Sequence, residues 1–195
     1  MKIRQARPED GVQCAPLIKI VFDEMEVPEL LKMTDSDIFK VFAEAFKVPE
    51  YRYSYAHTVV AEDDGEIVGI CVGYAAADEA HIDDAFKPFL PQVGITDGRE
   101  LFPWPESFPG EWYLDLLAVK ESAQHRGIGT ALLHDAAQRA QKAGFPRVGL
   151  CCDLVNPKAQ ALYEREGYQD DGRVQIFEHM YRHMSKPLEA QANGK

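Results

Sequence analysis

Two glycines stand between an apolar run and a helical pattern in the second half of the chain. In the segment QHRGIGTALLHDAAQRAQKAG, Gly127 and Gly129 follow the apolar run YLDLLAV and precede apolar residues at helical spacing. Glycine permits a positive φ and lets another molecule approach the backbone closely. The free N–H groups and the dipole at a helix start favour an anion. The segment therefore predicts a strand, a tight loop and a helix start that can bind a phosphate group.

Two other phosphate-binding motifs fit this segment less well. No Gly-Lys-Ser/Thr triplet follows the glycines, so the segment is not a Walker loop. A dinucleotide fingerprint requires a third small residue, and Leu132 stands at that position. These departures disfavour both kinds of nucleotide site.

The glycine segment and a second motif downstream resemble one known family. QHRGIG matches the Q/R-x-x-G-x-G/A acetyl-CoA signature of the GCN5-related N-acetyltransferases (the GNAT superfamily), and NPKAQALYEREGY at 156–168 is similar to that family's second motif. The resemblance implies an α/β fold, with a mixed, mostly antiparallel sheet of about six or seven strands flanked by helices. It also implies an enzyme that moves an acetyl group from acetyl-CoA to a primary amine by direct attack.

The remaining chain has the element order that this fold implies. A short N-terminal strand, helices over 11–25 and 36–48, and a hairpin around the turn DDG precede YLDLLAV, and strands are predicted after it. We expect a single domain over residues 1–188 and a frayed tail at 189–195. Five prolines and several aromatic residues mark an insertion at about 78–110. We interpret it as a lid, a pocket wall, a dimer contact or simple packing against the sheet.

The resemblance assigns cofactor binding mainly to backbone groups. Leu117 and Val119 would hold the pantetheine arm of coenzyme A as an added strand, and amides of the glycine segment would bind the pyrophosphate. Asn156 is predicted to cap the following helix and, by resemblance, also to contact the cofactor. The cofactor-binding residues so implied are Leu117, Val119, Gln124, His125, Arg126, Gly127, Ile128, Gly129, Thr130, Asn156 and Tyr163.

Two side chains are candidates for proton transfer. Tyr163 occupies the tyrosine position of the second motif, where the resemblance implies that its hydroxyl protonates the departing coenzyme A sulfur. Asp115 lies inside an apolar strand, where a carboxylate is costly unless it is paired or hydrated. It is our candidate for the group that attracts the amine and accepts its proton, with Glu111 or water as alternatives and a structural acid as the other interpretation. Strict alternation predicts that Asp115 shares one face of its strand with Tyr113 and Leu117.

Charge and composition narrow the range of partners. The net charge of −11 disfavours nucleic acid and anionic membranes, because both require a basic surface. No apolar run is long enough to cross a bilayer, and MKIRQARPED lacks a signal-peptide core, so we expect a cytoplasmic protein. The four cysteines and six histidines show no metal-ligand spacing, and no metal site is predicted.

No motif specifies the acceptor. A small-molecule or peptide amine fits the acidic balance, and the run DEAHIDD at 78–84 is either a patch for a cationic substrate or a solvated loop. Exposed edge strands and the aromatic-rich insertion are compatible with a homodimer. The alternative function is a non-catalytic module that binds acetyl-CoA as a sensor or regulator.

Overall fold

The computed structural model describes residues 1–189 and contains an open sheet of seven strands. The strands are β1 (Lys2–Gln5), β2 (Thr58–Asp63), β3 (Glu66–Ala75), β4 (Trp112–Val119), β5 (Arg147–Asp153), β6 (Gln169–Ile176) and β7 (His179–Pro187). Their order in the sheet is β1-β2-β3-β4-β5-β7-β6, in which β4 and β5 are parallel and all other neighbours are antiparallel. The predicted mixed, mostly antiparallel sheet is confirmed.

Helices cover both faces of the sheet. The helices α1 (Gly11–Glu24) and α2 (Asp35–Ala45) pack on one face around Phe22 and Phe42. The helices α3 (Ile128–Lys142) and α4 (Pro157–Arg165) pack on the other face around Leu132 and Tyr163. Because α3 connects the parallel strands β4 and β5, it packs over them on one face of the sheet, and its N-terminus lies close to the end of β4.

Two sequence predictions concern membrane segments and the chain end. None of the helices within residues 1–189 combines the length and the apolar character that a membrane crossing requires. The predicted tail at 189–195 lies, apart from Glu189, outside the described residues. The single domain over residues 1–188 stays a prediction.

A β-bulge at Asp115 sets the geometry of β4. In the ladder with β3, Leu114 and Leu116 pair with consecutive residues, so Asp115 between them is an extra residue. The predicted alternation is therefore wrong beyond this point, because Leu114 and Leu117 pack on the α3 side and Leu116 packs on the α1–α2 side. A bulge bends its strand, and β4 pairs with β5 only over Trp112–Leu114. The two parallel strands separate from Asp115 onward.

The 78–110 insertion packs against the α1–α2 face. It contains a 3₁₀-helical segment, Asp84–Val93, whose Phe86 and Leu90 are buried in the core of that face. Trp104 lies against Phe177, in the turn between β6 and β7, with ring centroids 4.4 Å apart. Glu106, at the end of the insertion, reaches the space between β4 and β5. Of the roles predicted for the insertion, two are therefore observed: it packs into the core of the α1–α2 face, and it forms part of a cavity wall.

Candidate active site

The separation of β4 and β5 leaves a cavity of about 180 Å³, which we call the splay cavity. Within the described part of the chain, the β4 edge that faces β5 has no strand partner from Asp115 to Val119. Such a free edge offers N–H and C=O groups to an extended ligand that carries amides of its own. Six of the sequence-predicted residues line this cavity: Asp115, Leu117, Val119, Gln124, Asn156 and Tyr163.

The loop before α3 supplies backbone donors beside the splay cavity. His125 (φ 62°) and Gly127 (φ 78°) have left-handed backbone conformations, which turn successive N–H groups of a loop toward a common concavity. The first hydrogen bond into α3 runs from the Ala131 N–H to the Gly127 carbonyl at 3.0 Å. The N–H groups from His125 to Thr130 therefore have no acceptor in the helix, and they leave main-chain donors at the Gln124 end of the cavity.

Side chains of this loop mostly face other parts of the protein. Arg126 donates a hydrogen bond to the Asp63 carboxylate at 2.6 Å, and Thr130 donates one to Glu166 at 3.0 Å. Ile128 is buried against α3 and the sheet. The donors that the loop offers to a ligand are thus chiefly main-chain N–H groups.

The helix α4 contributes Asn156 and Tyr163 to the wall of the splay cavity. The Asn156 side chain accepts a hydrogen bond from the Ala159 N–H at 3.1 Å, so the predicted cap is confirmed. Tyr163 lies one turn beyond Ala159, and both line the cavity. Burial raises the pKa of the Tyr163 phenol above its usual value. The hydroxyl therefore keeps its proton at neutral pH and is available as a donor.

Asp115 belongs to a buried ionic cluster. Its Oδ2 accepts hydrogen bonds from Arg52 Nη1 at 2.9 Å and from the Tyr74 hydroxyl at 2.5 Å. The Arg52 side chain is 1% exposed, and its guanidinium also contacts Asp83 at 2.9 Å and Glu106 at 3.2 Å. One buried cation therefore faces three acidic side chains, of which Asp115 and Glu106 line the splay cavity.

Glu106 is a second carboxylate of the splay cavity and is not among the residues predicted from the sequence. Its side chain accepts a hydrogen bond from the Tyr113 hydroxyl at 2.9 Å, and its N–H donates to Glu79 at 2.8 Å. Burial, together with the charge of Asp115, raises the pKa of Glu106 to about 8. The available signals were local: Arg52 lies in YRYSY and Glu106 lies in PWPESFPG. A charge inside an aromatic-rich segment points to a buried, paired residue.

Glu111, the alternative base of the sequence analysis, lies outside the splay cavity. Its fully buried carboxylate accepts a hydrogen bond from the Phe108 N–H at 2.7 Å and lies 2.9 Å from His183 Nε2. The carboxyl group rests on Gly149 of β5, in the space that a Cβ atom would fill. Glu111 therefore joins β4 to β5 and β7 and has a packing role.

Replacing Gly149 by alanine is expected to lower the free energy of unfolding by about 1–3 kcal/mol, since the new methyl group would overlap Glu111. Urea unfolding measures the loss. In a Glu111→Ala background the same substitution should cost clearly less. Equal costs in the two backgrounds would show that the Glu111 carboxyl does not occupy this space in solution.

The fold and the site together define a transferase of acyl groups, in which a sheet opens between two parallel strands and a helix start supplies main-chain donors to the opening. The sequence profile of the acetyltransferase (GNAT) family matches residues 26–168, and the chain belongs to this family. The resemblance and the enzyme class inferred from the sequence are thereby confirmed.

Individual relatives agree with this assignment. A solved acetyltransferase structure has a TM-score of 0.85 at 37% identity and covers 97% of this chain and 100% of its own. An N-acetyltransferase from Staphylococcus aureus Mu50 has a TM-score of 0.86 at 27% identity, over 95% of this chain and 100% of its own. The uncharacterized N-acetyltransferase YhfO of Bacillus subtilis is 26% identical over 171 residues, which cover 88% of this chain and 91% of YhfO.

Proposed function

We propose that this protein transfers the acetyl group of acetyl-CoA to a primary amine in a ternary complex, without an acyl-enzyme. The observation that carries the proposal is the free edge of β4 next to the donor loop before α3. A thioester that carries a pantetheine arm and a diphosphate needs this combination of an edge and an anion site.

The cofactor-binding roles follow from this arrangement. Backbone groups of Leu117 and Val119 pair with the pantetheine arm, and Asn156 contacts it from α4. The diphosphate receives hydrogen bonds from the amides of His125, Arg126, Gly127, Ile128, Gly129 and Thr130, and Gln124, whose N–H donates to the Glu121 carbonyl, lines the cavity with its side chain. Support comes from the positions of these residues along one side of the splay cavity and in the loop at its end.

The proposed chemistry uses both ends of the cavity. The Asp115 carboxylate attracts the ammonium group of the acceptor, and a carboxylate of the site accepts its proton directly or through water. The neutral amine then attacks the thioester carbonyl, whose oxygen is stabilised by strand amides. Tyr163 donates its phenolic proton to the departing sulfur. A cationic small molecule or peptide amine is the acceptor class that fits three carboxylates around the single buried cation Arg52.

Coenzyme A is expected to bind saturably and at least about tenfold more tightly than pantetheine, which lacks the diphosphate. Hydrogen bonds to charged groups contribute about 1.5–3 kcal/mol each, and about 1.4 kcal/mol is a tenfold change in Kd. Isothermal titration of both ligands measures the difference. Equal affinities for the two ligands would show that the loop before α3 does not bind the diphosphate.

Turnover distinguishes the enzyme from a sensor. We expect thiol release from acetyl-CoA with at least one member of a panel that contains n-butylamine, 1,4-diaminobutane, spermidine, an aminoglycoside and a lysine peptide. Saturable binding of acetyl-CoA without thiol release across the panel would contradict the proposed activity and favour the sensor.

A further inference from the structure

We propose that Glu106, at the end of the 78–110 insertion, is the catalytic residue that accepts the ammonium proton of the acceptor. The inference deepens the proposed function and rests on it. Asp115 then attracts and orients the cation, while Glu106 removes the proton. In this division the insertion supplies a reacting group to the site rather than only a wall.

The position of Glu106 is fixed by its neighbours. The Glu79 carboxylate accepts hydrogen bonds from the Glu106 N–H at 2.8 Å and from the Ser107 hydroxyl at 2.6 Å. The Glu106 carbonyl lies 3.5 Å from the Cys151 thiol of β5. Only 6% of the Glu106 side chain is exposed, and the residue lines the splay cavity together with Asp115 and Tyr163. The carboxylate is therefore held inside the space that would receive the thioester.

The hydrogen bonds of the two carboxylates separate their roles. Asp115 Oδ2 accepts from both Arg52 Nη1 and Tyr74, at 2.9 and 2.5 Å. Glu106 Oε1 lies 3.2 Å from the same Arg52 nitrogen, and its Oε2 accepts only from Tyr113. One guanidinium nitrogen thus serves two carboxylates. Since like charges this close are disfavoured, the pair favours one bound proton, and the longer contact to Arg52 assigns it to Glu106.

The groups that face Glu106 set the pH at which it can act as a base. The charged groups around it are Arg52 before β2, Glu79 after β3 and Asp115 on β4, with Asp83 beyond Arg52. The neutral titratable groups are Tyr53 before β2, Tyr74 on β3, Tyr113 on β4, Cys151 on β5 and Tyr181 on β7. Burial and the Asp115 charge dominate and raise the pKa of Glu106 to about 8. A base with a pKa near the working pH is the effective kind.

Groups of the site, together with water, account for every proton that moves in the proposed reaction. The carboxylate of Glu106 takes one proton from R–NH₃⁺, and the neutral nitrogen forms the N–C bond to the acetyl carbon. The C–S bond breaks, and Tyr163 protonates the sulfur. The second proton lost by the nitrogen returns to the Tyr163 oxygen through water, and Glu106 releases its own proton to solvent. The net reaction converts the ammonium ion and the thioester to an amide, a thiol and one free proton.

The test is the pH dependence of kcat with acetyl-CoA and the fastest amine of the panel. The wild-type kcat should rise with pH through an acid limb near pH 8, because Glu106 must be ionised. Glu106→Gln should lose that limb and lower kcat by at least about a hundredfold. Glu111→Gln is the matched control, since it alters another buried glutamate outside the cavity. The acid limb in the pH profile of this variant's kcat should stay at the wild-type pH.

Asp115→Asn distinguishes the two candidate bases, Glu106 and Asp115, because they predict shifts of the acid limb in opposite directions. The Asp115 charge raises the pKa of Glu106, so its removal should move the acid limb to lower pH if Glu106 is the base. A limb that moves to higher pH, or one that survives in Glu106→Gln, would overturn the proposal. Infrared titration measures the same ionisation without an amine substrate. The wild type should show a protonated carboxyl band that disappears near pH 8, and Glu106→Gln should lack this band. The same band in Glu106→Gln would also refute it.

Failure of the inference is distinguishable from failure of the proposed function. If the wild type binds coenzyme A and releases thiol but Glu106→Gln keeps its pH profile, only the role of Glu106 is lost. If the wild type releases no thiol with any amine of the panel, the proposed function itself is contradicted.

Discussion

Replacing Tyr163 by phenylalanine is expected to lower kcat about a thousandfold while the Kd for coenzyme A changes less than about threefold. The substitution removes only the hydroxyl, and the ring keeps its place against Tyr168, 5.9 Å away between centroids. Since burial raises the pKa of Tyr163, the wild-type hydroxyl is protonated and can donate to the leaving sulfur. Thiol release at saturating substrates measures kcat, and isothermal titration measures Kd.

Tyr168→Phe is the matched control for this prediction. Tyr168 is 2% exposed, stands beside Tyr163 and does not line the splay cavity. Its buried hydroxyl has no hydrogen-bond partner among the described residues, so its removal should leave both kcat and stability nearly unchanged. A Tyr163→Phe enzyme that turns over as fast as Tyr168→Phe would exclude the phenol as the acid.

Replacing Arg52 by glutamine is expected to lower the free energy of unfolding by about 3–5 kcal/mol at neutral pH, because Asp83, Glu106 and Asp115 would stay buried without their cation. Chemical unfolding measures the loss. Arg52→Lys keeps the charge but loses the fork, whose separate nitrogens contact Asp83 and the other two carboxylates. Its stability should lie between those of the wild type and Arg52→Gln.

The loss in Arg52→Gln should grow with pH. The pKa of Glu106 is raised in the folded state from an ordinary 4.5 to about 8, so between these values the folded chain holds a proton that the unfolded chain has released. Stability therefore falls as the pH rises through this window. Arg52 lowers the pKa of Glu106 and of Asp83, so without it these carboxyls keep their protons to higher pH and the fall in stability continues further. The deficit should be smallest near pH 5 and largest above pH 8, and a constant deficit would contradict a buried carboxylate cluster.

Local sequence patterns predicted the parts of the site that depend on backbone conformation. Gly127 adopts the left-handed conformation from which α3 starts, and Asn156 caps α4 with its own side chain, whereas Gly129 lies in the first turn of α3 without a positive φ. Each of these features is determined within a few residues of the chain, so the motif spacing contains the necessary information.

The ionic cluster could not be predicted in this way, because its members are distant in the chain. Arg52 and Asp115 are 63 positions apart, and Arg52 and Glu106 are 54 apart. The bulge at Asp115 was hidden for a related reason. Alternation is a property of one strand, whereas a bulge is defined by the register with the neighbouring strand.

The narrow contact between β4 and β5 divides the sheet into a four-stranded and a three-stranded part, which share three residue pairs within the sheet. The helix α3, Glu111 and the insertion also bridge the two parts. A ligand that pairs with the free edge of β4 and touches α4 would tie the two parts together. At a hundred times its Kd, such a ligand adds about 2.7 kcal/mol to the free energy of unfolding. The resistance of the folded chain to proteases would then rise with the concentration of that ligand.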